Sequence, residues 1–289
     1  PTRVPPLSSP RPVDVLPTVP DGLFEDEVSD SVRVEELVSE RTASSDSWVN
    51  SDGSLSVTSY ALQRYFQAEG RAEWLPIDST LVASLDGVGR VESKANSWSV
   101  SFGASTAPEG MQVFDLEGGL ISFTPVDANE SKPLTGDTLV TYAELWPGVD
   151  AVYSVSSVGV DERLVLKSPS VASSFVFEVV GASPRLNVDG GVDLLRAGVV
   201  VAMIPPLTVD TATQSIPPEK VGARFEVTAL KSVDGGRVEI GLNRDWLSGL
   251  AADEFPVVID PTLFPTLAPT ATASYSSSNT SIGSLRVGQ

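Results

Sequence analysis

Short apolar runs alternate with turn residues along most of the chain. Runs rich in Val, Thr, Phe and Tyr are separated by Gly, Asp, Asn and Pro, and the turn signals recur about every 8–12 residues. This spacing is typical of β-sandwiches and barrels. Connections this short favour antiparallel pairing over parallel crossovers. The pattern therefore predicts a mainly β chain, with antiparallel sheets in one or two sandwich-like units.

Three segments predict particular β structures. Residues 47–60 have the pattern of a hairpin with its turn at 50–53, and residues 110–126 have that of a second hairpin around 117–119. The run 138–167 predicts three strands, broken at 147–148 and near 158–159. Further strand-like runs lie at 175–181, 186–195, 197–206, 223–230 and 237–242.

Two segments have helical character. The run NRDWLSGLAADEF (243–255) begins with Asn243, a good N-cap residue, and predicts one short helix near 243–252. The run VRVEELVSE (32–40) is compatible with either a short helix or a strand.

Composition divides the chain into three parts. Residues 1–36 form a Pro-rich and then acidic arm, with seven prolines among the first 20 positions. Because Pro fixes φ and lacks an N–H donor, this arm is expected to be extended. Residues 37–265 form the β-rich region, which could divide into two sub-units near 127–137 or 168–174. Residues 266–289 are expected to be a linker that runs into a new β-module, as in a fragment of a longer protein.

Charge and residue usage exclude several classes of function. Lys plus Arg number 19 against 38 for Asp plus Glu, so the formal net charge is −19. This charge argues against binding nucleic acid or an anionic membrane surface. The chain has no Cys and no His, which excludes disulfides, thiolate nucleophiles, Cys/His zinc sites and Ser-His-Asp triads within it. It has no apolar run of about 20 residues that would span a membrane as a helix.

Acidic residues are the strongest candidates for catalysis. Two carboxylates about 5–10 Å apart can hydrolyse a glycosidic bond. The acids in apolar contexts are Asp78, Asp150, Asp161 and Asp260. Each lies beside a turn signal or at a strand end, where Asp side chains commonly accept hydrogen bonds from backbone N–H groups. We therefore predict that these four residues cap turns.

Asp260 is the most conspicuous of these acids. The apolar run 257–259 leads directly to Asp260 and Pro261, and the pattern I-D-x-T-L occurs both at 77–81 and at 259–263. Since the residue before a proline is biased towards extended backbone, Asp260 is predicted to close a strand.

Two further patterns, a calcium-loop-like run and the set of tryptophans, could be functional or structural. The run NVDGGVD places Asn187, Asp189 and Asp193 around two glycines; it lacks the full calcium-loop pattern, so a hairpin turn is predicted. The five tryptophans could form a sugar-stacking platform or pack in the core, and packing is favoured. They are Trp48, Trp74, Trp98, Trp146 and Trp246. No catalytic, cofactor-binding or metal-binding residue is assigned.

Eight phrases occur in a fixed order between residues 39 and 263. They are SERTASSDSWVNSDGS (39–54), EWLPIDSTL (73–81), ANSWSVSF (95–102), GGLISFTP (118–125), YAELWPGVDAVYSV (142–155), GVDERLVL (159–166), VAMIPP (201–206) and FPVVIDPTL (255–263). Together they resemble the amino-terminal, pre-repeat region of secreted RHS/YD-repeat proteins of Gram-positive bacteria, particularly actinobacteria. The tail 273–288 is similar to the opening of a DNRLRE domain, an extracellular β-module.

The resemblance implies a structural and non-enzymatic function. In polymorphic-toxin proteins of this type, YD repeats build a hollow β-shell that encloses a carboxy-terminal toxin. The region before the repeats would cap, plug or display that shell, and its partners would be the downstream shell and toxin of the same secreted or cell-surface protein. The chain itself contains no Tyr-Asp dipeptide, and its only Asp-Pro, at 260–261, is not followed by the family's self-cleavage pattern.

A second class of function stays open. The chain is also compatible with an extracellular adhesion or carbohydrate-binding β-module of a cell-wall protein, which would bind cell-wall or target-cell glycans. Tyr-Asp repeats after Gln289 would favour the first hypothesis, and a sorting signal or an enzyme domain would favour the second.

Overall fold

A computed structural model describes residues 31–68, 70–85, 89–104, 110–114, 119–229 and 235–265. Antiparallel strands make up most of this part of the chain, so the predicted mainly β class is confirmed. Of the Pro-rich and acidic arm predicted for residues 1–36, residues 1–30 lie outside the described residues. The linker and DNRLRE-like module predicted for 266–289 also lie outside them.

The strands are numbered in chain order. The first eight are β1 (Arg33–Glu36), β2 (Ser45–Asn50), β3 (Leu55–Ser59), β4 (Tyr65–Gln67), β5 (Trp74–Pro76), β6 (Asp78–Ala83), β7 (Val91–Ala95) and β8 (Ser99–Phe102). The next eight are β9 (Met111–Phe114), β10 (Leu120–Pro125), β11 (Pro133–Thr135), β12 (Leu139–Trp146), β13 (Val149–Val155), β14 (Val160–Leu166), β15 (Ser174–Val180) and β16 (Ser183–Leu186). The last eight are β17 (Val192–Arg196), β18 (Val199–Ile204), β19 (Thr208–Asp210), β20 (Ser215–Ile216), β21 (Arg224–Ala229), β22 (Gly235–Gly241), β23 (Val257–Asp260) and β24 (Phe264–Pro265).

Two large sheets face each other as a sandwich. One has the strand order β21-β22-β15-β10-β9-β8-β7-β6, and the other has the order β11-β12-β13-β14-β23-β19-β20. Phe102 of the first sheet contacts Tyr153 of the second, with ring centroids 5.3 Å apart. Trp146 of the second sheet lies between Phe175 and Phe177 of the first, at 5.1 and 5.6 Å. The two inner faces therefore share one hydrophobic core.

Period-two alternation explains why the central strands take these positions. Along β13 every second residue from Val149 to Val155 is buried, and β14 has the same pattern from Val160 to Leu166. Since successive side chains of a strand point to opposite faces, one side of each strand enters the core. The three strands predicted for 138–167 are confirmed, with turns at 147–148 and 156–159.

The chain changes sheets twice in its middle part. It leaves the eight-stranded sheet after β10, builds β11 to β14 in the other sheet, and returns as β15 beside β10. The crossings lie at 126–132 and 167–173. The division into two sub-units near 127–137 or 168–174 stays a prediction. Later, β23 enters the seven-stranded sheet between β14 and β19.

Three smaller sheets complete the described fold. They have the orders β16-β17-β18-β24, β1-β2-β3 and β4-β5. The run 32–40, which is compatible with a strand or a short helix, contains strand β1 followed by a 3₁₀ turn at Val38–Glu40. The hairpin predicted for 47–60 is confirmed as β2 and β3. The hairpin predicted for 110–126 is confirmed as β9 and β10, although residues 117–118 of its turn are not described.

The helix predicted near 243–252 is present but shorter. Helix α2 (Arg244–Gly249) begins after Asn243, whose Oδ1 accepts hydrogen bonds from the backbone N–H groups of Asp245 at 2.8 Å and Trp246 at 3.0 Å. A separate 3₁₀ turn follows at Ala252–Glu254. A preceding one-turn helix, α1 (Pro218–Val221), was not expected from the sequence. None of the helices in the described segments is long and apolar enough to cross a membrane.

The strand-like run 186–195 contains the hairpin turn that is predicted at 187–193. Strand β16 ends at Leu186, residues 187–191 form a turn, and β17 begins at Val192. Strand β16 itself was missed because it contains Pro184, which weakens any strand pattern. It lies at the edge of its sheet, where a missing N–H donor costs no ladder hydrogen bond.

Candidate functional site

The structure brings together two of the four candidate acids, Asp161 and Asp260. They lie on neighbouring strands, β14 and β23, on the face of the seven-stranded sheet that points away from the core. The Thr262 hydroxyl lies 3.1 Å from Asp161 Oδ1 and 2.5 Å from Asp260 Oδ1. Because a hydroxyl carries one proton, it donates to one carboxyl and can accept from the other only if that carboxyl is protonated. We call Asp161, Arg163, Asp260 and Thr262 the carboxyl cluster.

Asp260 also caps the turn that follows its strand. The backbone N–H of Thr262 donates to Asp260 Oδ1 at 2.9 Å. The corresponding contact at the other I-D-x-T-L sequence joins the Thr80 N–H to Asp78 Oδ1 at 3.0 Å. The predicted side-chain bond to a nearby backbone N–H is therefore present at both residues. Asp260 makes it at the turn after β23, whereas Asp78 makes it at the start of strand β6.

The two capping carboxyls differ in their electrostatic surroundings. Lys94, at 2.7 Å, and Thr80 donate hydrogen bonds that lower the pKa of Asp78 to about 2. At Asp260, burial raises the pKa; the Asp161 carboxyl raises it further, although the hydrogen bonds from Thr262 act in the opposite direction. The same Asp-to-Thr hydrogen bond thus accompanies a lowered pKa at Asp78 and a raised pKa at Asp260, because the surroundings differ.

Arg163 neutralises part of the carboxyl cluster. Its Nη2 lies 2.5 Å from Asp161 Oδ2, and about half of its side chain remains exposed. Both oxygens of Asp161 therefore have partners, since Oδ1 contacts Thr262. In this arrangement Asp161 is an ion-pair and hydrogen-bond partner rather than a free nucleophile.

A third acid, Glu162, lies directly behind the cluster on the core side of the sheet. The Tyr153 hydroxyl donates to Glu162 Oε1 at 2.9 Å, and both side chains are buried. Burial raises the pKa of Glu162 to about 8; the Tyr153 hydrogen bond lowers it and the Asp260 charge raises it. Glu162 is therefore largely protonated at neutral pH. The sequence contained a signal for it, because Glu162 alternates with the core residues Val160 and Leu164.

Glu162 also borders a small apolar cavity between the two sheets. The cavity has a volume of about 20 Å³. Its apolar lining includes Phe123, Phe177, Pro261 and Leu263. A volume of this size admits about one water molecule, so the cavity is too small for a sugar or another organic substrate.

Asp150 does not join the other acids. Its Oδ1 accepts the Glu144 N–H at 2.8 Å and lies 2.6 Å from Lys167 Nζ. The same Lys167 ammonium also contacts Glu144 at 2.6 Å. Asp150 thus holds the irregular end of β12 in an ion-pair network, and strand β14 separates it from β23 and Asp260.

The run 187–193 forms the turn predicted for it. Asn187 Oδ1 accepts the N–H groups of Asp189 at 3.1 Å and Gly191 at 2.9 Å. Asp193 is paired with Arg185 at 3.0 Å. Within the part of the chain that the structure describes, no three acidic side chains are arranged to hold a metal ion.

Two of the five tryptophans are core residues, as predicted. Trp98 and Trp146 are buried, and their indole N–H groups donate to the carbonyl oxygens of Ser157 at 3.4 Å and Val126 at 3.1 Å. Trp48, Trp74 and Trp246 are half-buried and lie on different elements. The tryptophans as a set therefore do not form one stacking platform.

A polar centre in the amino-terminal part was missed by sequence reasoning. The buried Asp46 accepts hydrogen bonds from the hydroxyls of Tyr60 at 2.6 Å and Tyr65 at 3.3 Å, and from the Trp48 indole at 3.1 Å. Burial alone would raise the pKa of Asp46, but these hydrogen bonds outweigh it and lower the pKa. Asp46 therefore joins β2 to β4 and the loop between β3 and β4.

Comparisons with known proteins do not assign the chain. No protein-family model, no curated protein and no solved structure matches it. The RHS/YD-repeat resemblance therefore stays a prediction from the sequence phrases.

Proposed function

We propose that this chain is a non-enzymatic structural region of a secreted or cell-surface RHS/YD-repeat, polymorphic-toxin-type protein. It would cap, plug or display the β-shell that encloses a carboxy-terminal toxin. The hydrogen bonds that the candidate acids accept support a structural role. Asp78, Asp150, Asp161 and Asp260 each accept a hydrogen bond from a nearby group of the fold.

The observation that carries the proposal is an exposed apolar border of the sandwich. Strand β11 is the edge of the seven-stranded sheet, and its Leu134 is 69% exposed. Leu139 of the neighbouring strand is also exposed. Strand β6, the edge of the eight-stranded sheet, meets this border through the Leu81 N–H, which donates to the Asp137 carbonyl at 2.7 Å, and its Val82 is exposed. We call Val82, Leu134 and Leu139 the edge surface.

An edge of this kind suits a β-rich partner. Unpaired backbone groups of an edge strand accept another strand, and exposed apolar side chains add area to the contact. The shell of a YD-repeat protein would supply such strands from the same polypeptide.

The test begins with the coding sequence beyond Gln289, where Tyr-Asp repeats are expected. The repeat polypeptide is then produced separately and mixed with the chain, and co-elution in gel filtration is measured. We expect the double variant Leu134→Lys/Leu139→Lys to lose co-elution, because two buried ammonium groups would oppose docking. The matched control is Val199→Lys, at an equally exposed strand residue of β18, and it should still co-elute.

Two outcomes would contradict the proposal. One is an absence of Tyr-Asp repeats together with an enzyme domain or a sorting signal beyond Gln289. The other is binding to cell-wall glycans that Trp48→Ala or Trp74→Ala abolishes, which would favour the adhesion hypothesis.

A further inference from the structure

The three-stranded sheet β1-β2-β3 carries apolar side chains on the face that points to solvent. In its register Val49 lies opposite Leu55, and Val57 lies two residues further along β3, so these three side chains share one face. Leu55 is 44% exposed and Val57 is 37% exposed. Val34, at the bulge of β1, is 67% exposed, and Val32 just before this strand is equally exposed. We call Val32, Val34, Val49, Leu55 and Val57 the outer patch.

The opposite face of this sheet carries Asp46, Trp48 and Asn50 of β2. Asp46 and Asn50 are buried there, and Trp48 is half-buried. Asn50 Nδ2 donates to Ser54 Oγ at 2.9 Å, and Asp46 accepts from Tyr60. A sheet with one solvated face normally places its apolar side chains inwards and its polar side chains outwards. The outer patch departs from this rule, because Val34, Leu55 and Val57 are exposed in the described part of the chain.

The chain contains a Pro-rich segment, residues 1–24, that is connected to this patch through the acidic residues 25–31. Residues 1–30 lead into Val32, whose N–H donates to Ser51 Oγ at 3.1 Å and whose carbonyl accepts the Ser51 N–H at 2.8 Å. A polyproline II segment rises about 3.1 Å per residue, so 24 residues span roughly 75 Å. This length exceeds the roughly 17 Å of a five-residue strand several times over.

The arm also has the right periodicity. Every third residue from position 4 to position 19 is apolar: Val4, Leu7, Pro10, Val13, Leu16 and Val19. Polyproline II has three residues per turn, so these side chains would form one continuous apolar stripe. A stripe of this kind can lie on a flat apolar face, and its prolines require no hydrogen-bond acceptor.

Charge does not oppose the same partner. Residues 1–24 carry Arg3 and Arg11 against Asp14 and Asp21, so this segment has no net charge in a chain whose net charge is −19. The exposed Glu35 lies opposite Val49 on the patch face. We propose that the outer patch binds the chain's own amino-terminal arm, residues 1–24, as a polyproline II segment.

A thiol-accessibility experiment tests this contact in the full chain. Because the chain has no Cys, Val57→Cys provides a single reactive probe on the patch, and Leu55→Cys is a second probe should the first variant fold poorly. Each probe is combined with an arm variant, Val13→Ser/Leu16→Ser/Val19→Ser, that removes the stripe. The matched control is Val15→Ser, an apolar residue outside the stripe. A probe at Val199→Cys reports on an exposed strand elsewhere.

We expect the stripe variant to raise the rate of maleimide labelling at position 57 about tenfold, which corresponds to a tethered arm that covers the patch roughly nine-tenths of the time. Val15→Ser should leave that rate unchanged, and position 199 should label equally in all proteins. Equal labelling rates at position 57 with the parent arm, the stripe variant and Val15→Ser would overturn the proposal. A rate that instead falls as protein concentration rises would show that a second copy covers the patch, which also overturns it. Either failure would leave the shell-binding proposal untouched, because the edge surface lies on other sheets.

Discussion

Asp78 and Asp260 show how the surroundings of a carboxyl change its pKa although the local hydrogen bond is the same. Each carboxylate accepts the N–H of a threonine two residues later. The exposed Asp78 gains an ammonium partner, so its pKa falls; burial and a second acid, Asp161, raise the pKa of Asp260. The opposite directions of the two pKa shifts therefore come from the surroundings and not from the local hydrogen bond.

Glu162 makes the stability of the protein dependent on pH. Its carboxyl has an ordinary pKa of 4.5 and a folded pKa of about 8, so the folded chain binds more protons than the unfolded chain between these values. The contribution of Glu162 to the free energy of unfolding should therefore be most favourable below pH 4.5. It should decrease as the pH rises towards 8. The slope is at most about 1.4 kcal/mol per pH unit.

The variant Glu162→Gln isolates this effect. A neutral amide keeps the size of the side chain and a partner for Tyr153 but does not titrate. We expect urea denaturation at several pH values between 5 and 8.5 to show a clearly smaller decline in the variant than in the parent chain. The residual slope would come from Asp260, whose raised pKa has the same sign. Identical slopes in the two proteins would show that Glu162 is already ionised in the fold.

At the scale of elements, β23 comes near the end of the sequence but joins the sheet that β11 to β14 begin. It pairs with β14 on one side and with β19 on the other. Its residues Val257 and Ile259 enter the core, whereas Val258 and Asp260 lie on the outer face. A one-residue slip of this strand would bury Asp260 and expose Ile259, so the alternation strongly specifies the register.

A pair of alanine variants in β23 measures this register. Ile259 is fully buried, and Ile259→Ala should lower the free energy of unfolding by about 2–5 kcal/mol through lost burial and a cavity. Val258→Ala, one residue away on the outer face, should cost about 1 kcal/mol or less. Chemical denaturation of both variants gives the comparison. Equal losses, or a larger loss at Val258, would contradict the assigned register.

At the scale of the whole molecule, excess negative charge opposes the compact state. The chain has 38 acids and 19 bases, so the acids outnumber the basic partners available to them. In described ion pairs such as Lys94–Asp78 and Arg185–Asp193, the side chain of the basic residue is largely exposed to solvent. Exposed pairs contribute little to stability, typically about 0–1 kcal/mol each. Self-repulsion should therefore dominate the electrostatic free energy.

Salt should consequently stabilise the protein. Raising sodium chloride from about 0.02 M to 0.5 M shortens the Debye length to below about 10 Å and screens repulsion between distant acids. We expect the melting temperature to rise over this range, with sucrose of equal osmolality as the control for a general solute effect. A fall in melting temperature would mean that the ion pairs, rather than the repulsion, control the salt response.

Local features of this protein follow from the sequence alone. Alternation of apolar residues predicts β12 to β14, Asn243 predicts the start of α2, and the two I-D-x-T-L phrases predict capped turns. These structures depend on hydrogen bonds and side-chain directions within a few residues, which the local sequence controls.

Only the tertiary structure decides how distant parts combine. The contact between Asp161 and Thr262 joins residues 101 positions apart, and the raised pKa of Glu162 requires burial beneath Tyr153 and the cavity wall. The position of β23 between β14 and β19, and the outward apolar face of β1 to β3, are likewise matters of strand pairing. Many pairings satisfy the same alternation, so the choice among them depends on the packing of the whole chain.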